Sequence, residues 1–150
     1  MTTQFDDAAA LNDLITTLLD SVAGYEESAG ELENQTLAEK FESRARERLS
    51  AVTQLKAAVA AAGGDPKENG SLSGTMHRAF VDLKGLVMGN DDRAIIAEIE
   101  RGEDQLRDEF EKVLADTNLS PAGRAAAAKA WQTVCAGHDE MRALKLSLGA

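Results

Sequence analysis

The residues best placed to do chemistry in this 150-residue sequence are Glu26, Glu103 and the pair Cys135 and His138, three apart. Helical bundles that hold two iron ions place one inward glutamate on each of two helices and a Glu-x-x-His on each of the other two. Several carboxylates and imidazoles are needed together because a hard cation gives up its hydration shell only when many ligand atoms replace it at once. Glu26, Glu103 and His138 are the candidate ligands here, with Cys135 as a possible fourth. A thiol, however, is a poor substitute for a bridging carboxylate. The second helical segment departs further, because helical phase turns Arg48 inward and the local pattern reads Ala45-x-x-Arg48 where such a site requires Glu-x-x-His. A guanidinium stays protonated in a protein and repels a cation beside it.

Four helices must position these residues. Leu11, Leu14, Ile15, Leu18, Val22, Tyr25, Ala29 and Leu32 share one face of a helix over roughly 5–33. Thr36 and Glu39 form a capping-box pattern, and Leu37, Phe41, Ala45, Val52, Leu55 and Val59 continue a second helix to about Ala62. Asn90 is a plausible N-cap for a third, carried by Ile95, Ile99, Leu106, Phe110 and Val113 and ending near Asp116. Ser120-Pro121 opens a fourth, marked by Ala127, Trp131, Val134, Met141 and Leu148. Each spans about 25 residues, on the order of 40 Å.

Short links between helices 1 and 2, and between 3 and 4, predict two antiparallel hairpins. The link between helices 2 and 3, about 63–90, is too long for a turn. It holds its own amphipathic pattern, Leu72, Met76, Phe80, Leu83 and Val87, with Ser71 as N-cap and His77 off the apolar stripe. Its start, GGDPKENGSLSG, is glycine-rich like a phosphate loop, yet no strand precedes it and no Gly-Lys occurs in it. A connector is the expected role. The fold expected is an all-α, ferritin-like four-helix bundle with a long helical crossover between helices 2 and 3, forming one domain over 1–150.

Depth along the bundle separates the candidates. Counted from the first hairpin, Glu26 and Arg48 differ by roughly 6 to 7 Å in height, whereas Arg48, Glu103 and His138 fall near mid-height. The expectation is a polar core cluster of Arg48, Glu103 and His138, with Arg48 paired to Glu103 or another carboxylate at that level. Gly102 inside helix 3 implies a close approach there, because mid-helix glycine costs about 1 kcal/mol relative to alanine.

Composition narrows the partners. Acidic residues outnumber basic ones 26 to 16, a formal charge of −10 that repels nucleic acid and anionic lipid. No apolar run reaches the roughly 18 residues of a membrane helix, and the acidic start MTTQFDD is unlike a signal peptide, so a cytoplasmic protein is expected. One cysteine excludes an intramolecular disulfide. Homo-oligomerisation through the crossover helix or an Ala-rich helix face is left open.

The strings GGDP at 63–66, GSLSG with HR within 70–78, ERGED at 100–104 and HD at 138–139 before RAL at 142–144 give a resemblance over nearly the whole chain. The chain resembles a bacterial family of ferritin-like four-helix-bundle proteins whose domain has no assigned function. The resemblance implies the fold and no activity. The function expected is that of a non-enzymatic interaction or stress-related protein with a degenerate metal site, no catalytic residue and no cofactor. The alternative is a metal-binding carboxylate protein, an oxidase or iron-handling protein, with iron as cofactor.

Overall fold

The computed structural model describes residues 6–70 and 92–148, and these form an all-α four-helix bundle. The helices are α1 (Asp7–Glu31), α2 (Gln35–Ala61), α3 (Asp92–Leu114) and α4 (Pro121–Leu148). α1 packs on α2 and α3, and α4 packs on α3 and α2. Their apolar stripes meet in two clusters. One gathers Leu14, Leu18, Leu55, Leu106, Phe110 and Val134, the other Tyr25, Phe41, Ile96, Ile99 and Met141. Each large side chain fully withdrawn from water contributes at most about 1.5–3 kcal/mol.

Local chemistry sets the helix ends. Asp6 caps α1 by accepting from the backbone N–H of Ala9 at 3.3 Å, and Leu32 leaves the helix in extended conformation. The start of α2 differs from the capping box expected at Thr36 and Glu39. Asn34 is the N-cap, accepting from Leu37 N–H at 3.1 Å, and Thr36 is already inside the helix. The reason lies across the bundle: the Asp92 carboxylate accepts from the backbone N–H groups of Glu33 (3.0 Å) and Asn34 (3.1 Å), which fixes Asn34 as the last non-helical residue. α3 stops at Leu114, short of Asp116, whose carboxylate accepts from Asn118 N–H at 2.8 Å and turns the chain. Arg124 donates to the carbonyls of Leu114 and Asp116 and so occupies two free acceptors at that end. Ser120 caps α4 through Gly123 N–H at 3.0 Å, with Pro121 as the first helical residue.

These contacts also give direction. The start of α1 is tied to the α3–α4 turn, through Asp6 N–H to Asn118 O at 3.0 Å and through Asp7 to Ser120, and the start of α3 is tied to the α1–α2 turn. Every pair of neighbouring helices is therefore antiparallel, and the chain must travel the length of the bundle between α2 and α3.

The first part of that journey is extended. Gly63, at φ +83°, ends α2, and Gly64 lies so close to α1 that an added methyl would stand 2.5 Å from the Ala8 side chain. Asn12 then pairs with the connector twice, donating to Asp65 O at 3.0 Å and accepting from Lys67 N–H at 2.9 Å. At Gly70 the backbone rests against Leu19 and Asp20. Residues 64–70 thus climb the outside of α1 as a connector, with no helix of their own. The Ser71 cap, the stripe from Leu72 to Val87, His77 and Asn90 lie outside the described residues.

Asp92 ties the start of α3 to the first turn through the backbone N–H groups of Glu33 and Asn34. Replacing it by alanine frees two backbone N–H groups, and charge-assisted bonds of this kind are worth about 1.5–3 kcal/mol each at most. The Asp92→Ala variant is expected to lose about 1–3 kcal/mol in urea denaturation with an unchanged slope.

Candidate functional site: a buried arginine layer

Between the two apolar clusters lies one polar layer, and each helix contributes to it. Arg48 on α2 is fully buried, and its Nη2 donates to Glu103 Oε2 on α3 at 2.8 Å. Its Nη1 donates to Ser21 Oγ on α1 at 2.6 Å. Tyr25, also on α1, donates its hydroxyl to the other oxygen, Glu103 Oε1, at 2.7 Å, and its ring lies 5.5 Å from the guanidinium carbon. α4 contributes an absence of side chain, since any Cβ on Gly137 would collide with Arg48 Nη2. Among the described residues, Arg48 Nε has no hydrogen-bond partner.

The helical pattern explains these directions. Arg48 follows Phe41 and Ala45 on the buried face of α2, and Glu103 follows Ile99 by four residues on α3, so both must point into the core. Two opposite full charges there are tolerable only because each is paired and hydrogen-bonded. Burial alone would lower the affinity of the Arg48 guanidinium for its proton. The charge and hydrogen bond of Glu103 outweigh it, leaving the pKa raised. The Tyr25 phenol is raised well above its ordinary value, first by burial and then by the Glu103 charge, which the Arg48 charge partly offsets. The layer thus keeps the arginine charged and the phenol neutral. Its permanent tenant is a cation.

Of the candidates drawn from the sequence, the structure brings Arg48 and Glu103 together and sets His138 and Glu26 apart. His138 is buried on the α3–α4 seam, with Nε2 2.7 Å from Asp104 Oδ1 and 3.2 Å from Arg107 Nη1. Nε2 is thus already contacted by a carboxylate on one side and a guanidinium on the other, and a metal ion would have to displace both. Glu26 is exposed on α1. Cys135 is half-buried, and partial burial first, then the charges of Asp139 and Glu111, push its thiol pKa up, the opposite of a reactive thiolate. Among the described residues, no three His, Cys, Asp or Glu side chains form a group that could hold a metal ion.

Sequence reasoning missed three members of the layer. Tyr25 reads as part of an apolar stripe, although a buried tyrosine needs a partner for its hydroxyl, and that need was the available signal. Gly137 carried a similar cue as a glycine in a helix interior. Ser21 gave none. Arg44, one turn before Arg48, is also buried and bridges Glu47 (2.9 Å) on its own helix to Glu140 (3.3 Å) on α4. A groove of about 350 Å³ follows the α1–α3 seam over this layer, with Gly24, Tyr25, Gly102 and Glu103 in its lining.

Fold and site together define an all-α four-helix bundle divided at mid-height by an ion-paired layer. Residues 6–116, which include α1 to α3 with Tyr25, Arg48 and Glu103, match the family described as Domain of unknown function (DUF2383), and the chain belongs to that family. No curated protein sequence matches it.

Two outcomes follow from the packing and the charges. Gly137→Ala forces the Arg48 head out of place and is expected to cost about 1–3 kcal/mol in chemical denaturation, as overpacked cores do. Tyr25 is the only tyrosine, so absorbance near 295 nm follows its ionisation directly. The folded protein should show no phenolate as pH passes 10. An unfolded phenol ionises near 10 and the folded one higher, so the stabilisation is complete below 10 and is lost as pH rises through the folded value. A phenolate step near 10 with helicity intact would contradict this.

Proposed function

We propose that this chain is a ferritin-like bundle protein of the non-enzymatic kind, an interaction module whose metal position is taken by an arginine. The observation that carries the reading is the Arg48 head, fully buried and bonded to the buried carboxylate of Glu103. A fixed positive charge there repels a metal ion, and both oxygens of Glu103 already accept strong hydrogen bonds. Recognition is then left to the outer surfaces. With an excess of ten acidic residues the partner is a protein or a second copy of the chain, not nucleic acid or an anionic membrane. A cytoplasmic, bacterial and stress-related setting belongs to the same proposal and rests on the resemblance of the sequence to small bacterial bundle proteins.

The competing reading, a metal-binding carboxylate protein built on Glu26, Glu103 and His138, would require those three to converge. Glu26 is exposed, and His138 is engaged with Asp104. Incubation of the purified chain with ferrous iron under argon, followed by desalting and elemental analysis, separates the two. Retention below about 0.1 iron per chain is expected, whereas about two per chain, the content of a di-iron site, would overturn the proposal.

A further inference from the structure

The two hairpins of this bundle are built alike, and they differ where the ion pair lies. From Asp7 to Asp92 is a shift of 85 residues, and the same shift carries the buried face of α1 onto that of α3: Leu11 onto Ile96, Leu14 onto Ile99, Tyr25 onto Phe110. From Asn34 to Ser120 is a shift of 86, which carries α2 onto α4: Phe41 onto Ala127, Leu55 onto Met141. The capping bonds repeat at that spacing, Asn34 to Leu37 N–H and Ser120 to Gly123 N–H. So do the ties between hairpins. The first residue of α1, Asp7, accepts from Ser120 N–H at 2.8 Å, and the first residue of α3, Asp92, accepts from Asn34 N–H at 3.1 Å. An aromatic pair also joins the two helices of each hairpin, Tyr25 with Phe41 and Phe110 with Trp131.

An inner face that fits the other hairpin therefore comes close to fitting a second copy of its own kind. The equivalence fails in the ionic layer. Arg48 corresponds to Val134, Glu103 to Leu18 and Gly137 to Ala51, all of them buried or, for Gly137, closed by packing. If two α1–α2 hairpins paired with each other, Arg48 would meet Leu18 in place of Glu103. It would also meet the Ala51 methyl where Gly137 leaves room for its Nη2. If two α3–α4 hairpins paired, Glu103 would meet Val134. Each arrangement strands a buried charge, and the first also collides.

We propose that Arg48, Glu103 and Gly137 form a pairing code. The α1–α2 face admits only an α3–α4 hairpin, from the same chain or a second copy, and like hairpins are rejected. Buried polar groups that set register and partner choice in coiled coils act by the same logic. The code does not depend on whether the bundle binds metal.

The test replaces Arg48 and Glu103 together by the residues at their equivalent positions, Arg48→Val with Glu103→Leu, in the full chain. Native and variant proteins are refolded from denaturant and sized by light scattering over a roughly hundredfold concentration range. The native chain should return to one size. The variant should keep its helicity yet spread over several sizes, with the share outside the native size raised about tenfold or more, reflecting lost discrimination. A helical variant with the native size distribution would overturn the proposal. Should the double variant not refold, two separate chains decide the matter, one with Arg48→Glu and one with Glu103→Arg. Each alone sets like charges face to face. Refolded together, they can exchange hairpins and unite opposite charges, so a 1:1 dimer more helical than either chain alone is expected. A mixture no different from the sum of its parts would refute the code.

Discussion

The rest of the bundle is arranged around the contact between the Arg48 guanidinium and the Glu103 carboxylate. Two full charges have been taken out of water, and such a pair gains little net stability because desolvation offsets most of the attraction. What it does impose is geometry. Ser21 and Tyr25 from α1, Arg48 from α2, Glu103 from α3 and the bare backbone of Gly137 from α4 meet in one layer, so the rotation and height of all four helices are fixed together. Breaking the pair is far more costly than never having it, since one stranded charge remains, at about 3–5 kcal/mol.

The ends of the bundle repeat that division of labour with backbone groups. Asp7 and Asp92 each reach from the first turn of one hairpin to the N–H groups that open the second helix of the other. Those N–H groups are left unpaired by helix geometry, and a carboxylate satisfies them while complementing the positive end of the helix dipole. Register is therefore set at three heights, two ends and a middle. Between them the clusters around Leu14 and Phe110, and around Phe41 and Ile96, supply nonspecific burial.

The fold was largely legible because long amphipathic helices announce themselves by period, and the same phase turned Arg48 and Glu103 inward. Phase gives the direction of a residue, and spacing gives its height. Neither says which neighbour the end of a side chain will reach. His138 has the phase and height of the central layer, yet its ring meets Asp104 on the adjacent seam. Tyr25 looks apolar in a stripe although its hydroxyl completes the layer. Asn34 displaced the expected cap at Thr36 because of Asp92, distant in sequence and adjacent in space. The glycines after α2 were readable as a connector, but their course along Ala8, Asn12 and Asp20 depends on close backbone approach, which a pattern of residue types does not encode.

On the proposed reading, an arginine stands where a related bundle would hold a metal, and a reversible occupant is exchanged for a covalent one. A metal site can be empty, filled or oxidised, and the bundle around it can respond to each state. An arginine head has one charge state at any pH the fold survives, and here it is bonded to the Glu103 carboxylate beside a phenol whose pKa is raised. On the proposed reading, whatever varies in the life of this protein does not vary at its centre. The middle layer serves to make the surface constant: it admits one arrangement of two nearly equivalent hairpins, and so presents one set of outer helix faces to a partner. A binding surface gains affinity from being held in its bound form beforehand, because less ordering remains to be done at the moment of contact. A buried ion pair of little net worth to stability is well suited to that task, since its contribution lies in the alternatives it removes.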